Sequence, residues 1–199
     1  EPVFGDLVEI GFDVINPFVF PGKPMLHADY GHVEALREFL IKHDAIAIAV
    51  GSGTINDIVK LASQESSRNY MVAPTAASVD GYSAYGASIS VNDLKQTLEC
   101  AAPLVIVADT QVLQNAPSEM TAAGYADLLG KITAGADWII ADSIDVETIG
   151  PTAWHMVQSD LRQWTSQPKN LAKGNVREIQ HLFEGLLMTG LAMQTQKSS

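Results

Sequence analysis

The sequence predicts an α/β domain over residues 1–110 followed by an all-helical region over residues 111–199. Two observations carry this. As far as Asp109, short apolar runs alternate with amphipathic stretches, as they do when strands and helices succeed one another along a parallel sheet. From Gln111 onward the apolar residues recur with helical spacing.

Taken in order, residues 1–24 are rich in Val, Phe, Ile, Pro and Gly, and Phe18-Val19-Phe20 reads as a short strand before the Pro21-Gly22 turn. Asp29 is placed to cap a helix through about Lys42, with Val33, Leu36, Phe39 and Leu40 inward. The apolar run Ala45 to Val50 is a strand that breaks at Gly51-Ser52-Gly53, and a helix over 54–66 follows, with Ile55, Ile58, Val59 and Ala62 on one face. A second strand spans 70–73, giving a βαβ unit with parallel pairing as the default. Gly81 to Ser90 reads as loop and edge strand, and Gln96–Cys100 and Leu104–Ala108 as two more strands. Ala116-Pro117 opens a helix carrying Met120, Ala123, Asp127 and Gly130; further helices fit 132–142, 151–165 and 175–195. The last is amphipathic, with Val176, Ile179, Leu182, Phe183, Leu186, Leu187 and Met193 on one face, and Trp138, Trp154 and Trp164 read as helical core.

At 199 residues and 47% apolar, the chain is long enough to bury a substantial core. A formal net charge of −11 argues against nucleic acid or an anionic membrane as partner. The one cysteine, Cys100, permits no internal disulfide and reads as a small buried hydrophobe, which suits a reducing, cytoplasmic setting. No apolar run approaches the roughly 20 residues of a membrane span. Pro2 to Gly5 reads as domain interior and Lys197-Ser198-Ser199 stops shortly after a helix, so a chain incomplete at both ends is expected.

The Gly51-Ser52-Gly53 turn suits anion binding, because glycines admit a phosphate to the backbone and the N–H groups of the next helix point at it. It completes neither the dinucleotide fingerprint, having Asn56 at the sixth position, nor a Walker loop. A tight turn with Thr54 as N-cap and Asp57 closing a capping box is the alternative. The second strand runs into Pro74-Thr75-Ala76-Ala77-Ser78-Val79-Asp80-Gly81. Ligands of open α/β sheets sit outside the carboxyl ends of the strands, so the two segments would line one crevice. Further on, Asp127 has small neighbours in Gly124, Ala126 and Gly130, which predicts close helix packing and a partly buried carboxylate. Such a carboxylate needs a cation or donors, and Lys131, one turn on, offers an ordinary ion pair.

Three stretches, GSGTINDIVK, PTAASVDGY and AAGYADLLGK, resemble the signatures of sn-glycerol-1-phosphate dehydrogenases. These are metal-dependent dehydrogenases related to glycerol dehydrogenase and dehydroquinate synthases. The resemblance runs from about Ala45 to Asp142. It implies a Rossmann-like nucleotide-binding domain followed by a helical metal and substrate domain, in a dehydroquinate synthase-like architecture. It places Gly51, Gly53, Thr54, Ile55, Asn56 and Asp57 at the pyrophosphate of NAD or NADP, and Thr75 and Ser78 at the nicotinamide ribose. Asp80 would bind substrate, and Asp127 would be a catalytic ligand of one divalent metal: zinc, nickel or iron. Where the family often has a cofactor-contacting serine, this chain has Ala84, with Ser83 beside it. The resemblance implies two further histidine ligands in a stretch beyond Ser199; His155 and His181 themselves read as solvated or structural. Lys60 and Lys131 read equally as phosphate-attracting or ion-paired.

The activity implied is reduction of dihydroxyacetone phosphate to sn-glycerol 1-phosphate by a homo-oligomeric enzyme. The alternatives are a polyol dehydrogenase acting on glycerol, a synthase-like lyase, and a non-catalytic remnant that holds nucleotide.

Overall fold

The computed structural model of the chain describes Phe18, Phe20 and residues 26–196. The strand expected at 18–20 rests on Val19, which lies outside the described residues. Helix α1, Tyr30–Ile41, buries Val33, Leu36 and Leu40. Asp29 holds its N-cap position without a side-chain cap bond. It forms instead a β-bridge with Ser90, whose N–H donates to the Ala28 carbonyl at 2.8 Å.

Strand β1, Ala47–Gly51, helix α2, Gly53–Glu65, and strand β2, Tyr70–Pro74, form the expected parallel unit, with Ala47 opposite Tyr70 and Gly51 opposite Pro74. The turn is tighter than expected. Ser52, not Thr54, is the N-cap residue, because the Asn56 N–H closes the first turn on the Ser52 carbonyl at 3.0 Å. No side chain caps this end. The capping box fails because Asp57 is drawn away from the helix end: its carboxylate accepts from the Ser88 N–H and from Asn56 Nδ2, each at 3.2 Å.

Strands β3, Ala87–Val91, and β4, Leu94–Leu98, form an antiparallel hairpin: β3 is the edge strand expected within 81–90, and β4 starts two residues before the strand expected at 96–100. Asn92 and Asp93 at its tip both have positive φ, 52° and 64°, the backbone that a two-residue hairpin turn requires. The strand expected over 104–108 is only Val105–Ile106, β5, which pairs parallel with β2 to give the sheet order β1-β2-β5. Cys100 is buried just beyond β4, and burial pushes its thiol up to about 12, as an inert buried hydrophobe requires.

The helical region opens with α3, Thr110–Gln114, capped by Asp109 accepting from the Gln111 N–H at 2.7 Å. Helix α4, Ser118–Ser143, is continuous over 26 residues where two helices were expected. An interior glycine costs a helix about 1 kcal/mol, and Gly130 alone does not break one of this length. The helix expected over 151–165 divides into α5, Pro151–Gln158, and α6, Leu161–Trp164. At the division the Ser159 N–H still closes on the His155 carbonyl at 3.3 Å, and the helix is interrupted at Asp160, whose backbone stands at φ −115° and ψ −3°. After α7, Pro168–Leu171, comes α8, Val176–Gln196. Asn175 Oδ1 caps α8 by accepting from Arg177 and Glu178 N–H at 3.0 and 3.3 Å.

Of the predicted stripe, helix α8 buries Ile179, Leu182, Phe183 and Leu186 in a hydrophobic cluster that reaches Val33 of α1 and Val72 of β2, while Val176, in its first turn, is exposed. Of the three tryptophans, only Trp164 is core; Trp138 and Trp154 line an open cavity between α4, α5 and α8. No described helix is long and apolar enough to cross a membrane.

Candidate functional site

Parallel pairing levels the carboxyl ends of β1 and β2, and the Thr75 N–H donates to the Gly51 carbonyl at 3.1 Å. The glycine turn and the loop Thr75–Gly81 therefore lie side by side, as expected of one crevice. With no side chain capping it, the first turn of α2 leaves the N–H groups of Gly53, Thr54 and Ile55 to the crevice, at the positive end of the helix dipole.

The side chains of Asn56 and Asp57 are engaged within the fold. Asn56, fully buried, donates to the Gly81 carbonyl at 3.1 Å and accepts from the Tyr70 hydroxyl at 3.0 Å. Lys60 is not the phosphate-attracting group considered from the sequence. It is 1% exposed, and its Nζ donates to the carbonyls of Gly81, Ala84 and Gly86 at 2.7, 2.9 and 3.0 Å. Burial pulls its ammonium below the ordinary lysine range, and the Asp57 carboxylate opposes this. Burial in turn pushes Asp57 up to about 6, against the pull of Lys60 and of the Ser88 N–H. Because the folded value exceeds the ordinary 3.8, the contribution of Asp57 to stability is complete below about pH 4 and is lost as pH rises through about 6. We expect the Asp57 carboxyl carbon to titrate near pH 6 by NMR; a midpoint near 4 would show it to be solvated.

Two helices of the helical region grip the 75–84 loop, each at a glycine. A Cβ on Gly124 of α4 would lie 2.0 Å from the Ala77 carbonyl oxygen, and one on Gly190 of α8 would lie 2.5 Å from the Asp80 carbonyl oxygen. Of the small residues flanking Asp127, only Gly124 provides the expected close packing: Ala126 is exposed, and a Cβ on Gly130 would have no neighbour within 4 Å. The Ser83 hydroxyl donates to the Leu187 carbonyl at 2.8 Å, so here it serves the loop's attachment to α8. Thr75 is half-buried and Ser78 is 6% exposed.

This grip brings Asp80 to Asp127. The Asp80 N–H donates to Asp127 Oδ2 at 2.9 Å. Lys131 Nζ lies between the carboxylates, 2.5 Å from Asp80 Oδ2 and 3.5 Å from Asp127 Oδ1. The i,i+4 pair read from the sequence is therefore the longer of its two contacts. Thr189, which sequence reasoning missed, donates weakly to Asp80 Oδ2 at 3.5 Å. Burial, with the neighbouring Asp127 charge, raises the Asp80 carboxyl above the ordinary range while Lys131 pulls it down. Burial works against the Lys131 ammonium, but the two carboxylates outweigh it and raise its pKa.

A cation thus already stands between two oxygen donors, and carboxylate oxygen suits a divalent metal. Asp127 fits as one arm of a metal centre. Among the described residues no three His, Cys, Asp or Glu form a metal-holding group. His155 pairs with Ser159, and His181 lies 3.7 Å from Glu178.

Residues 15–117, more than half of the chain, match the family model described as iron-containing alcohol dehydrogenase. The chain belongs to the iron-containing alcohol dehydrogenase family. The region matched includes the glycine turn and the Thr75–Gly81 loop and ends just before α4. Relatives of this family member include proteins named glycerol-1-phosphate dehydrogenase [NAD(P)+]. The protein of Bacillus velezensis is 39% identical over 77% of this chain, that of Bacillus subtilis 40% over 74%, and that of Pyrococcus abyssi 33% over 84%. The chain spans 39%, 38% and 48% of their respective lengths.

Solved structures of dehydrogenases and reductases share the fold. Sulfoacetaldehyde reductase of Bifidobacterium kashiwanohense in complex with NAD+ superposes with TM-score 0.70 and 16% identity, over 96% of this chain and 55% of that one. A probable glycerol dehydrogenase of Sinorhizobium meliloti gives 0.66 and 19%, over 84% and 51%.

Proposed function

We propose that the protein carrying this chain reduces dihydroxyacetone phosphate to sn-glycerol 1-phosphate with NADH or NADPH. One observation carries the reading: the loop from Thr75 to Asp80 is tied at one end to the glycine turn before α2 and at the other to Asp127. Five residue steps separate those ends, at most about 18 Å of extended backbone. A dinucleotide whose pyrophosphate rests on the α2 N-terminus can therefore extend its nicotinamide along Thr75 and Ser78 toward the carboxylates. The relatives named above, at 33–40% identity, support the same substrate.

In this reading the Gly53, Thr54 and Ile55 N–H groups orient the pyrophosphate, Asp80 accepts hydrogen bonds from substrate hydroxyls, and Asp127 would hold a divalent metal. When bound, the metal supplies Lewis acidity at the ketone oxygen and the reduced nicotinamide supplies hydride. The grip of α4 and α8 on the loop fixes Asp80 relative to Asp127, so that orientation is built into the fold before substrate arrives. The proposal extends to a division near residue 110 between nucleotide and substrate halves, to a dehydroquinate synthase-like architecture, and to a cytoplasmic homo-oligomer. The α/β-to-helical change after β5 and the buried, lone Cys100 support the first and the cytoplasmic setting.

The test is nicotinamide oxidation by the metal-loaded intact protein, with dihydroxyacetone phosphate and dihydroxyacetone offered side by side and the product's stereochemistry assigned. A strong preference for the phosphate, yielding the sn-1 isomer, is the expected result. Preference for the unphosphorylated ketone would make the protein a glycerol dehydrogenase, and turnover of neither would make it a nucleotide-binding protein without this chemistry.

A further inference from the structure

The geometry points to Lys131 as a displaceable internal counter-ion. It holds Asp80 and Asp127 together until a divalent cation takes Asp127, and the ammonium then withdraws. This inference rests on the reading of Asp127 as a metal ligand.

Three features of the molecule converge on it. First, Nζ already occupies the space a shared cation would take, 2.5 Å from one carboxylate and 3.5 Å from the other. Second, the pair needs that charge: the Asp80 side chain is 13% exposed and that of Asp127 28%, and like charges so close and so poorly hydrated repel strongly. An ammonium and a divalent ion repel about twice as strongly as two single charges at the same range, so both cannot keep the position. Third, the ammonium has somewhere to go. On its other side Lys131 lines the open cavity of about 430 Å³, whose walls also carry Asp137 and Glu147. A flexible four-carbon stem can swing its charge out of the Asp80 pair into this open, acid-lined cavity.

A fixed structural strut would behave differently. It would stabilise the loop against α4 equally with and without metal, and its removal would not tighten metal binding.

The experiment titrates the metal-stripped intact protein with Zn2+ alone by calorimetry, in the parent, Lys131→Met, Lys131→Arg and Asp127→Asn forms, with thermal unfolding of each with and without zinc. Lys131→Met is expected to bind zinc about tenfold more tightly, since it removes a competing charge from contact range. Its melting temperature without metal should fall, and its gain on zinc addition should exceed that of the parent. Lys131→Arg retains the charge in a fork that can bridge both carboxylates, so zinc should bind it several-fold more weakly. This second variant keeps the test decisive if the methionine form does not fold.

If Asp127→Asn abolishes zinc binding while both Lys131 variants bind zinc as the parent does, the counter-ion role is overturned and the metal reading stands. If zinc binding is unchanged in Asp127→Asn, the metal reading fails and takes this inference with it.

Discussion

Asp127→Asn is expected to lower metal-dependent reduction by about a thousandfold or more, the several kcal/mol that charge stabilisation by a bound metal contributes. The substitution is mild for the fold. The amide that replaces the carboxylate keeps a carbonyl oxygen, which can still accept from the Asp80 N–H that now meets Asp127 Oδ2 at 2.9 Å, and Lys131 keeps its shorter contact with Asp80. What disappears is the negative charge. The hydrogen bond and ion pair of Asp127 go to Asp80 and Lys131, not to the glycine turn before α2, so nicotinamide binding should change by no more than about twofold, as for independent sites. Steady-state kinetics beside a nicotinamide fluorescence titration reads both quantities. A variant as active as the parent would remove Asp127 from the metal centre; equal loss of turnover and nucleotide affinity would point to a collapsed crevice instead.

Gly124→Ala should destabilise the protein by about 3 kcal/mol, at the upper end of the cost of overpacking. In a chain of this size that lowers the melting temperature by roughly 6–12 °C. The obstacle is backbone: the new methyl would lie 2.0 Å from the Ala77 carbonyl oxygen and 2.8 Å from its carbon, so helix and loop must part. Asp127 sits one turn along α4 and moves with it, so turnover should fall as well. Gly130→Ala is the control on the same helix. Nothing lies within 4 Å of its Cβ position, and exchanging an exposed helical glycine for alanine should stabilise by up to about 1 kcal/mol. Thermal unfolding of the two variants separates the effects; equal stabilities would show that α4 does not approach the loop so closely.

The parts of the fold that were legible are those with local causes. The run from Ala45 to Val50 and the glycines after it give β1, the turn and α2 closely, because burial and chain reversal are written side by side. The hairpin was less visible. Its second strand, Leu94–Leu98, is largely exposed and carries no buried alternation, and its only mark is the Asn92-Asp93 pair at the turn. The division of α5 from α6 falls at Asp160, where the backbone departs from the helix to φ −115°, a departure that helical spacing does not register.

The site divides in the same way. Asp127 stood out by its small neighbours, and the Lys131 pairing follows from helical spacing. That the ammonium prefers Asp80, and that Thr189 and Gly190 press on the same loop, depends on where three distant segments meet. Asn56, Asp57 and Lys60 carry the polar pattern of a ligand-binding helix start, yet the fold turns these side chains inward to brace the loop and the hairpin.

The attachment of Lys60 has a bearing on how this sequence can vary. Its three partners are main-chain oxygens, which every amino acid possesses, so the anchor is blind to the side chain at position 84 while depending wholly on the amine at 60. Drift along the loop, within the space and backbone angles each position allows, leaves the tether untouched. Loss of the lysine would take the side-chain donor from the Ala84 and Gly86 carbonyls at once and leave the Gly81 carbonyl to Asn56 alone.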